Sequence, residues 1–262
     1  MKCLPLLVVL LSPCLGTSLI RDLYYPGHSV AHPEICPSRG TNLRVIILIA
    51  SKTERLSARK AIRLTWGHYG ARKDIGIAFL IGKPSRKHAK TIRDENYFHG
   101  DIIVSNNLED SKIQTLQTFS MLEWVSTYCF NATKFLKIRD DVFVNIPLLV
   151  RFAQENRAPF TIWGNLVSYS GVKYARGTAY LMSTDVIDPL ILEALKSEEN
   201  QFEDFFFTGL MAQELSINLV NAEEFSSKPV SVLNVKSRIM IENMKYNDQF
   251  FWWIKQFQHL VE

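Results

Sequence analysis

Apolar positions along the chain gather into short runs separated by amphipathic stretches, and this alternation sets the fold class. Leu43–Ala50 (LRVIILIA) is a continuous apolar run of strand length, the pattern of a strand covered on both faces. Ser57 is then placed to cap a helix in which Ala58, Ala61, Ile62, Thr65 and Trp66 recur at helical spacing, with Gly67 ending it. Arg59 and Arg63 lie one turn apart on a flank of that helix. Ile75–Gly82 and Asp101–Ser105 predict two further strands, with a basic helical stretch running to Asp94 between them. Over Asp110–Tyr128 the residues Ile113, Leu116, Met121, Trp124, Val125 and Tyr128 fall on one broad side of a helix, which delivers the chain to the strand Phe135–Ile138. Strand and helix in alternation predict an α/β fold: a doubly wound, mostly parallel sheet flanked by helices.

The second half continues with a helix over Pro147–Asn156, strands at Phe160–Val167 and Gly177–Ser183, and a helix over Thr184–Lys196. Leu210–Leu215 reads as helical, Ile217–Asn221 and Val230–Val235 as strands, and the C-terminus as amphipathic. Nothing marks a second domain boundary, so 42–262 is read as one domain. Ahead of it, Arg21–Thr41 holds Pro26, Pro33, Pro37, Gly27 and Gly40 with little periodicity, and reads as a stem or linker. Cys3–Ile20 carries no charge and is rich in leucine and valine, so 1–20 reads either as a signal anchor or as a cleaved signal peptide. Both direct the remainder into the secretory pathway. The sequon Asn131-Ala132-Thr133 agrees with that compartment. Outside the N-terminal run only Cys36 and Cys129 remain, so one disulfide can form there, although sequence does not show that the two meet.

Composition narrows the choice further. Apolar residues at 47% and charged residues at 21% exclude a disordered chain, and a formal charge of +4, dispersed along the sequence, gives no footprint for nucleic acid. The candidate chemistry sits at Asp140-Asp141, two adjacent carboxylates at the end of a buried strand. Each such charge must be paired, hydrated or metal-bound. Strand ends of open α/β sheets are where ligands sit, and a hard divalent cation shared with phosphate oxygens suits that position. A solvated acidic turn is the alternative.

A set of short motifs then points to a family. Arg59 to Gly67 (RKAIRLTWG), Phe79-Leu80-Ile81-Gly82, and Glu95, Tyr97 and Asp101-Ile102-Ile103 occur in order. They are followed by Glu123-Trp124-Val125, Cys129 and Lys137–Asn145 (KIRDDVFVN), then Tyr174 to Ser183, then Glu203-Asp204-Phe205 to Gly209. In order and spacing these resemble the inverting β-1,3-galactosyltransferase and β-1,3-N-acetylglucosaminyltransferase family, from Cys36 to about Asn221. The resemblance implies a GT-A-like fold, a UDP-sugar donor, manganese, and a glycan acceptor on a glycoprotein or glycolipid. It also implies residence in the Golgi membrane as a single-pass type II protein with a lumenal domain, or in the lumen after signal cleavage.

Residue by residue, the resemblance makes Asp141 the metal ligand, with Asp140 beside it, and turns Arg59 and Arg63 toward the nucleotide. A solvated helix flank is the other reading of those two arginines. The family's catalytic base falls on Asp204, with Phe205–Phe207 to desolvate it; read alone, Glu203-Asp204 is an acidic helix N-terminus. Trp163 and Tyr174 are either sugar-stacking platforms or core aromatics. Three departures stand out: Arg139 replaces the first carboxylate of the family's acidic triplet, Gln117 stands at a lysine position, and His259 is the sole histidine after Asp204. Two function classes follow, an active UDP-sugar hexosyltransferase and a non-catalytic relative acting as a glycan-binding or chaperone-like partner.

Overall fold

Apolar runs that can be covered on both faces end up side by side in one mixed sheet. The computed structural model describes residues 18–108 and 114–257. In chain order the sheet strands are β1 (His28–Val30), β2 (Val45–Ala50), β3 (Ile75–Lys83), β4 (Ile102–Leu108) and β5 (Lys134–Arg139), with the two-residue β6 (Phe143–Val144) lying apart. They continue with β7 (Thr161–Tyr169), β8 (Val172–Ser183) and β9 (Asn218–Asn221), and β10 (Met240–Ile241) pairs only with β6. The large sheet has the order β1-β4-β3-β2-β5-β8-β7-β9. Its centre, β4-β3-β2-β5, is parallel, as the alternation predicts, and β8 joins β5 antiparallel.

The helices are α1 (Ile20–Leu23), α2 (Leu56–Leu64), α3 (Arg86–His99), α4 (Gln114–Tyr128), α5 (Ile146–Glu155), α6 (Ile187–Ala194), α7 (Ala212–Glu214) and α8 (Tyr246–Lys255). Side chains along β2 divide by the strand's period of two. Ile46 and Leu48 pack with α4 and α6 on one face, while Val45, Ile47 and Ile49 pack with α2 and α5 on the other. Trp66 anchors the second layer: its indole donates to Gln249 on α8, and the Gln249 amide donates to the Val142 carbonyl just before β6.

Several sequence expectations change here. α2 starts at Leu56 with no side-chain cap, so Ser57 does not cap it. Val230–Val235 is not a strand; no sheet strand lies beside it, and Val232–Ser237 winds into a 3-10 helix. The segment from Phe205 to Met211 is a π-helix running directly into α7. Residues 21–41, read as a stem, pack along the domain. The Tyr24 hydroxyl and the Gly27 amide both bond the Glu123 carboxylate, and β1 covers the outer edge of β4. The Trp124 indole donates to the Ala31 carbonyl. Cys36 and Cys129 are joined in a disulfide across 93 residues of sequence. Closing a loop of that length removes about 4 to 5 kcal/mol of unfolded-chain entropy in the simple chain model. Gly40 makes room for the bridge: its φ is +87°, and a Cβ there would lie 2.7 Å from the Ala132 nitrogen and 3.0 Å from Cys36 Sγ.

No helix among the described residues is long and apolar enough to cross a membrane. Most of the expected signal segment, residues 1–17, lies outside them, as do His259 and 110–113 at the start of the helix expected over Asp110–Tyr128.

Candidate active site

The parallel strands β2, β3, β4 and β5 end on the same side of the sheet, and a cleft of about 710 Å³ opens beyond them. Residues just past β2, Ser51, Lys52 and Arg55, form one part of its wall. Arg139, Asp140 and Asp141, at the end of β5, form a second, and Gly177, Glu203 and Asp204 face it from β8 and the start of the π-helix. The structure therefore brings Asp140, Asp141 and Asp204 to one cavity. It does not bring Arg59 or Arg63 there.

Both arginines are engaged elsewhere. Arg59 is fully buried, and it donates through Nε and Nη2 to Glu95 at 2.8 and 2.7 Å. Its Nη1 reaches Ser51 Oγ at 3.1 Å, and further bonds go to the carbonyls of Lys52 and Thr53. Arg63 forks onto both oxygens of Asp101 at 2.8 and 2.7 Å, touches Glu95 at 2.7 Å and lies over the Phe79 ring. Burial pushes the Glu95 carboxyl up, but the two guanidinium groups outweigh it and hold the group below the ordinary carboxylate range. The expected nucleotide-facing role of Arg59 and Arg63 is thus corrected. Arg59 fixes the loop after β2, and through Ser51 it touches Asp140, because Ser51 Oγ donates to Asp140 Oδ2 at 2.7 Å.

Asp140 is 6% exposed. Burial raises its pKa, opposed by the bonds from Ser51 and Arg55. The Arg55 Nε lies 2.8 Å from one carboxylate oxygen and 2.9 Å from the other. Asp141 carries its own clamp: Arg139 donates Nε to Oδ1 at 2.9 Å and Nη2 to Oδ2. That bond to Asp141 raises the Arg139 pKa further. Four groups at the strand end thus form two carboxylate–guanidinium pairs.

Across the cleft a second buried pair underlies the candidate base. Lys137 projects from β5 into an ion pair with Glu203, and the two side chains are only 4% and 6% exposed. Glu203 also accepts from Thr118 Oγ1 at 3.0 Å and from the Tyr180 hydroxyl at 3.1 Å. Burial, then the neighbouring Glu203 charge, drives the Tyr180 pKa well up, so Tyr180 serves as a donor. Lys137 donates to the Gly177 carbonyl at 2.8 Å as well. The Gly177 amide in turn donates to Asp204 Oδ2 at 2.7 Å, and the Phe205 amide donates to Oδ1 at 2.9 Å. Each Asp204 oxygen therefore keeps a second lone pair, and the half-buried carboxylate is fixed in place at the cleft wall. Gly177 must be glycine, since a Cβ would fall 2.6 Å from Glu203 Oε1 and 3.1 Å from Asp204 Cβ.

The aromatic expectations divide. Trp163 is core, 2% exposed with Lys134 Nζ 4.2 Å from its ring centre, so it offers no platform to a sugar. Tyr174 stands edge-on to Phe205 at 5.5 Å, close enough to Asp204 for that charge to help raise its pKa after burial does so. Phe206 and Phe207 are buried in the core beneath Asp204, whereas Phe205 is partly exposed beside it.

A bound manganese ion needs carboxylate oxygens with lone pairs turned to it. Here Arg139 grips Asp141 through both oxygens and Arg55 lies against both oxygens of Asp140, so a cation would have to displace a guanidinium group from each, and no cluster of three metal-ligating side chains occurs among the described residues. The donor set, as these side chains stand, does not fit the ion.

Arg55, Lys137 and Gly177 are cleft residues that sequence reasoning missed, and Gln117, noted as a departure from the family, was given no role. Lys137 left a signal, since it is the lone cation in the apolar run Phe135–Ile138. Gln117 donates its amide to the carbonyls of Ser51 and Leu80, both at 3.0 Å, and so ties the ends of β2 and β3 together. Nothing local in the sequence marks that role.

The profile of the family described as galactosyltransferase matches residues 57–168, from α2 to the end of β7. Beta-1,3-galactosyltransferase 5 of Pan paniscus is 30% identical over 212 residues, 71% of this chain and 68% of that protein. The chain belongs to the galactosyltransferase family. Beta-1,3-galactosyltransferase 4 of Mus musculus is 32% identical over 155 residues, 56% of the chain, and the match spans only 42% of that relative's length. Among solved structures, the galactosyltransferase LgtC in complex with donor and acceptor sugar analogues aligns over 82% of this chain and 95% of its own, with 12% identity and a TM-score of 0.44.

Proposed function

We propose that the chain is a hexosyltransferase that moves galactose or N-acetylglucosamine from a UDP-sugar to a glycan hydroxyl, forming a β-1,3 linkage with inversion. The observation that carries this reading is the Asp204 carboxylate, fixed by two backbone amides at the wall of a strand-end cleft and retaining lone pairs for a proton. In the reaction the acceptor oxygen attacks the anomeric carbon from the side opposite UDP. The bond from that carbon to the phosphate oxygen breaks, UDP leaves, and Asp204 takes the acceptor's proton. The two guanidinium–carboxylate pairs at the end of β5 lie in the same cleft and face the leaving diphosphate in this reading. Family membership and the relatives' names support the linkage type.

Purified protein incubated with UDP-galactose or UDP-N-acetylglucosamine and a β-linked glycan acceptor should yield a β-1,3-linked product, read by mass spectrometry and linkage analysis. Absence of product with both donors across an acceptor panel would favour the non-catalytic, glycan-binding alternative.

The same reading places the domain in the secretory pathway, in the Golgi membrane or lumen. The buried disulfide suits an oxidising compartment, and Asn131 is exposed in the turn between α4 and β5. Expression in mammalian cells should give a protein whose gel mobility shifts on N-glycosidase treatment, with the shift lost in Asn131→Gln.

A further inference from the structure

The disagreement between the acidic pair and a metal ion points to a different way of holding a diphosphate. We propose that Arg139, with Arg55, supplies the positive charge that a divalent cation would otherwise bring, so that the cleft binds a nucleoside diphosphate without metal. This rests on reading the cleft as the donor site.

A cation shared between two carboxylates and a diphosphate needs both partners to turn oxygens toward it. Asp141 is gripped through both oxygens by Arg139, and Asp140 has both within reach of Arg55 Nε and one bonded to Ser51, so a guanidinium stands beside each carboxylate where a cation would have to sit. Each of the two carboxylates is already paired with a guanidinium group, so an added dication must compete with a fixed positive charge at both. The arginines, in contrast, are not used up. A guanidinium carries five N–H donors; Asp141 takes two from Arg139, and Asp140 takes the Nε donor of Arg55. Both side chains are 44% exposed and both line the cleft, beside Lys52 and Arg176. Planar, fixed-charge guanidinium groups pair bidentately with phosphate oxygens and need no ion between them. The carboxylates orient the arginines, and the buried Arg59–Ser51 connection holds Asp140 in turn.

The test is calorimetric titration of the full chain with UDP and with UMP, in EDTA and in millimolar manganese. UDP should bind in EDTA with an affinity within about threefold of that in manganese, and UMP, lacking one phosphate, at least about tenfold more weakly. Arg139→Asp and Arg139→Gln, each checked for a native unfolding profile, should lose at least about tenfold in UDP affinity in EDTA. Part of that loss should return on adding manganese, because Asp141 is then released to a cation. Wild-type binding that appears only with manganese would overturn the proposal while leaving the donor-site reading intact. Absence of UDP binding under either condition would overturn both. UDP affinity in EDTA that both variants retain would also overturn it, because Arg139 would then be no phosphate ligand.

Discussion

Asp204→Asn is expected to lower hexosyl transfer by about two to four orders of magnitude while UDP affinity hardly changes. An acceptor hydroxyl is a weak nucleophile at neutral pH, and its oxygen gains attacking power only as a base removes the proton. Asparagine has the same shape but cannot accept that proton. Its geometry carries a second consequence. Both Asp204 oxygens accept backbone N–H groups, from Gly177 and from Phe205. An asparagine amide can satisfy only one of them and turns an NH2 toward the other, so the variant should also lose about 1 kcal/mol of stability. The two effects separate by measurement: turnover under saturating donor reports the base, calorimetry with UDP reports the donor side, and urea unfolding reports the lost bond. A variant that loses UDP binding together with turnover would show that Asp204 holds the cleft together rather than taking the proton.

The strands of this fold were legible because their burial is written locally. Val45–Ala50, Ile75–Gly82 and Phe135–Ile138 are largely apolar runs that lie side by side in the sheet. Val230–Val235 has the same local look but meets no partner strand, and it coils instead. Sheet pairing is a property of two segments, and one segment's pattern reports only half of it. The candidate site divides in the same way. The Asp140-Asp141 pair stood out because charge at the end of an apolar run is a local anomaly, whereas Asp204 was singled out only by the family resemblance, its local pattern being that of an acidic helix N-terminus. The fate of Arg59 could not be read locally, because its partner Glu95 is 36 residues away on α3, and only the fold brings the two side chains into a buried ion pair. Arg139 was visible as a departure from the family's triplet; that it would close on Asp141 two residues on depended on the turn after β5.

The Lys137–Glu203 pair should prove the costliest single contact at the site. Lys137→Met is expected to destabilise the protein by about 3 to 5 kcal/mol, the range for removing one partner of a buried ion pair. Glu203 would then be left 5% exposed with only two hydroxyl donors, from Thr118 and Tyr180, to stabilise its charge. Glu203→Gln breaks the same pair from the other side and strands the Lys137 ammonium, so its main loss should also be in stability rather than in the proton-transfer step. In the double variant Lys137→Met with Glu203→Gln no charge is left unpaired, and its cost should fall well short of the sum of the two single costs. Urea unfolding of the four proteins provides the cycle. Activity adds a second reading, because Lys137 holds the Gly177 carbonyl and the Gly177 amide holds Asp204. Turnover of whatever protein remains folded should therefore fall in Lys137→Met, while UDP affinity changes little. Strict additivity of the single costs would mean that the pair is not coupled, and that Glu203 is held by its hydroxyl neighbours alone.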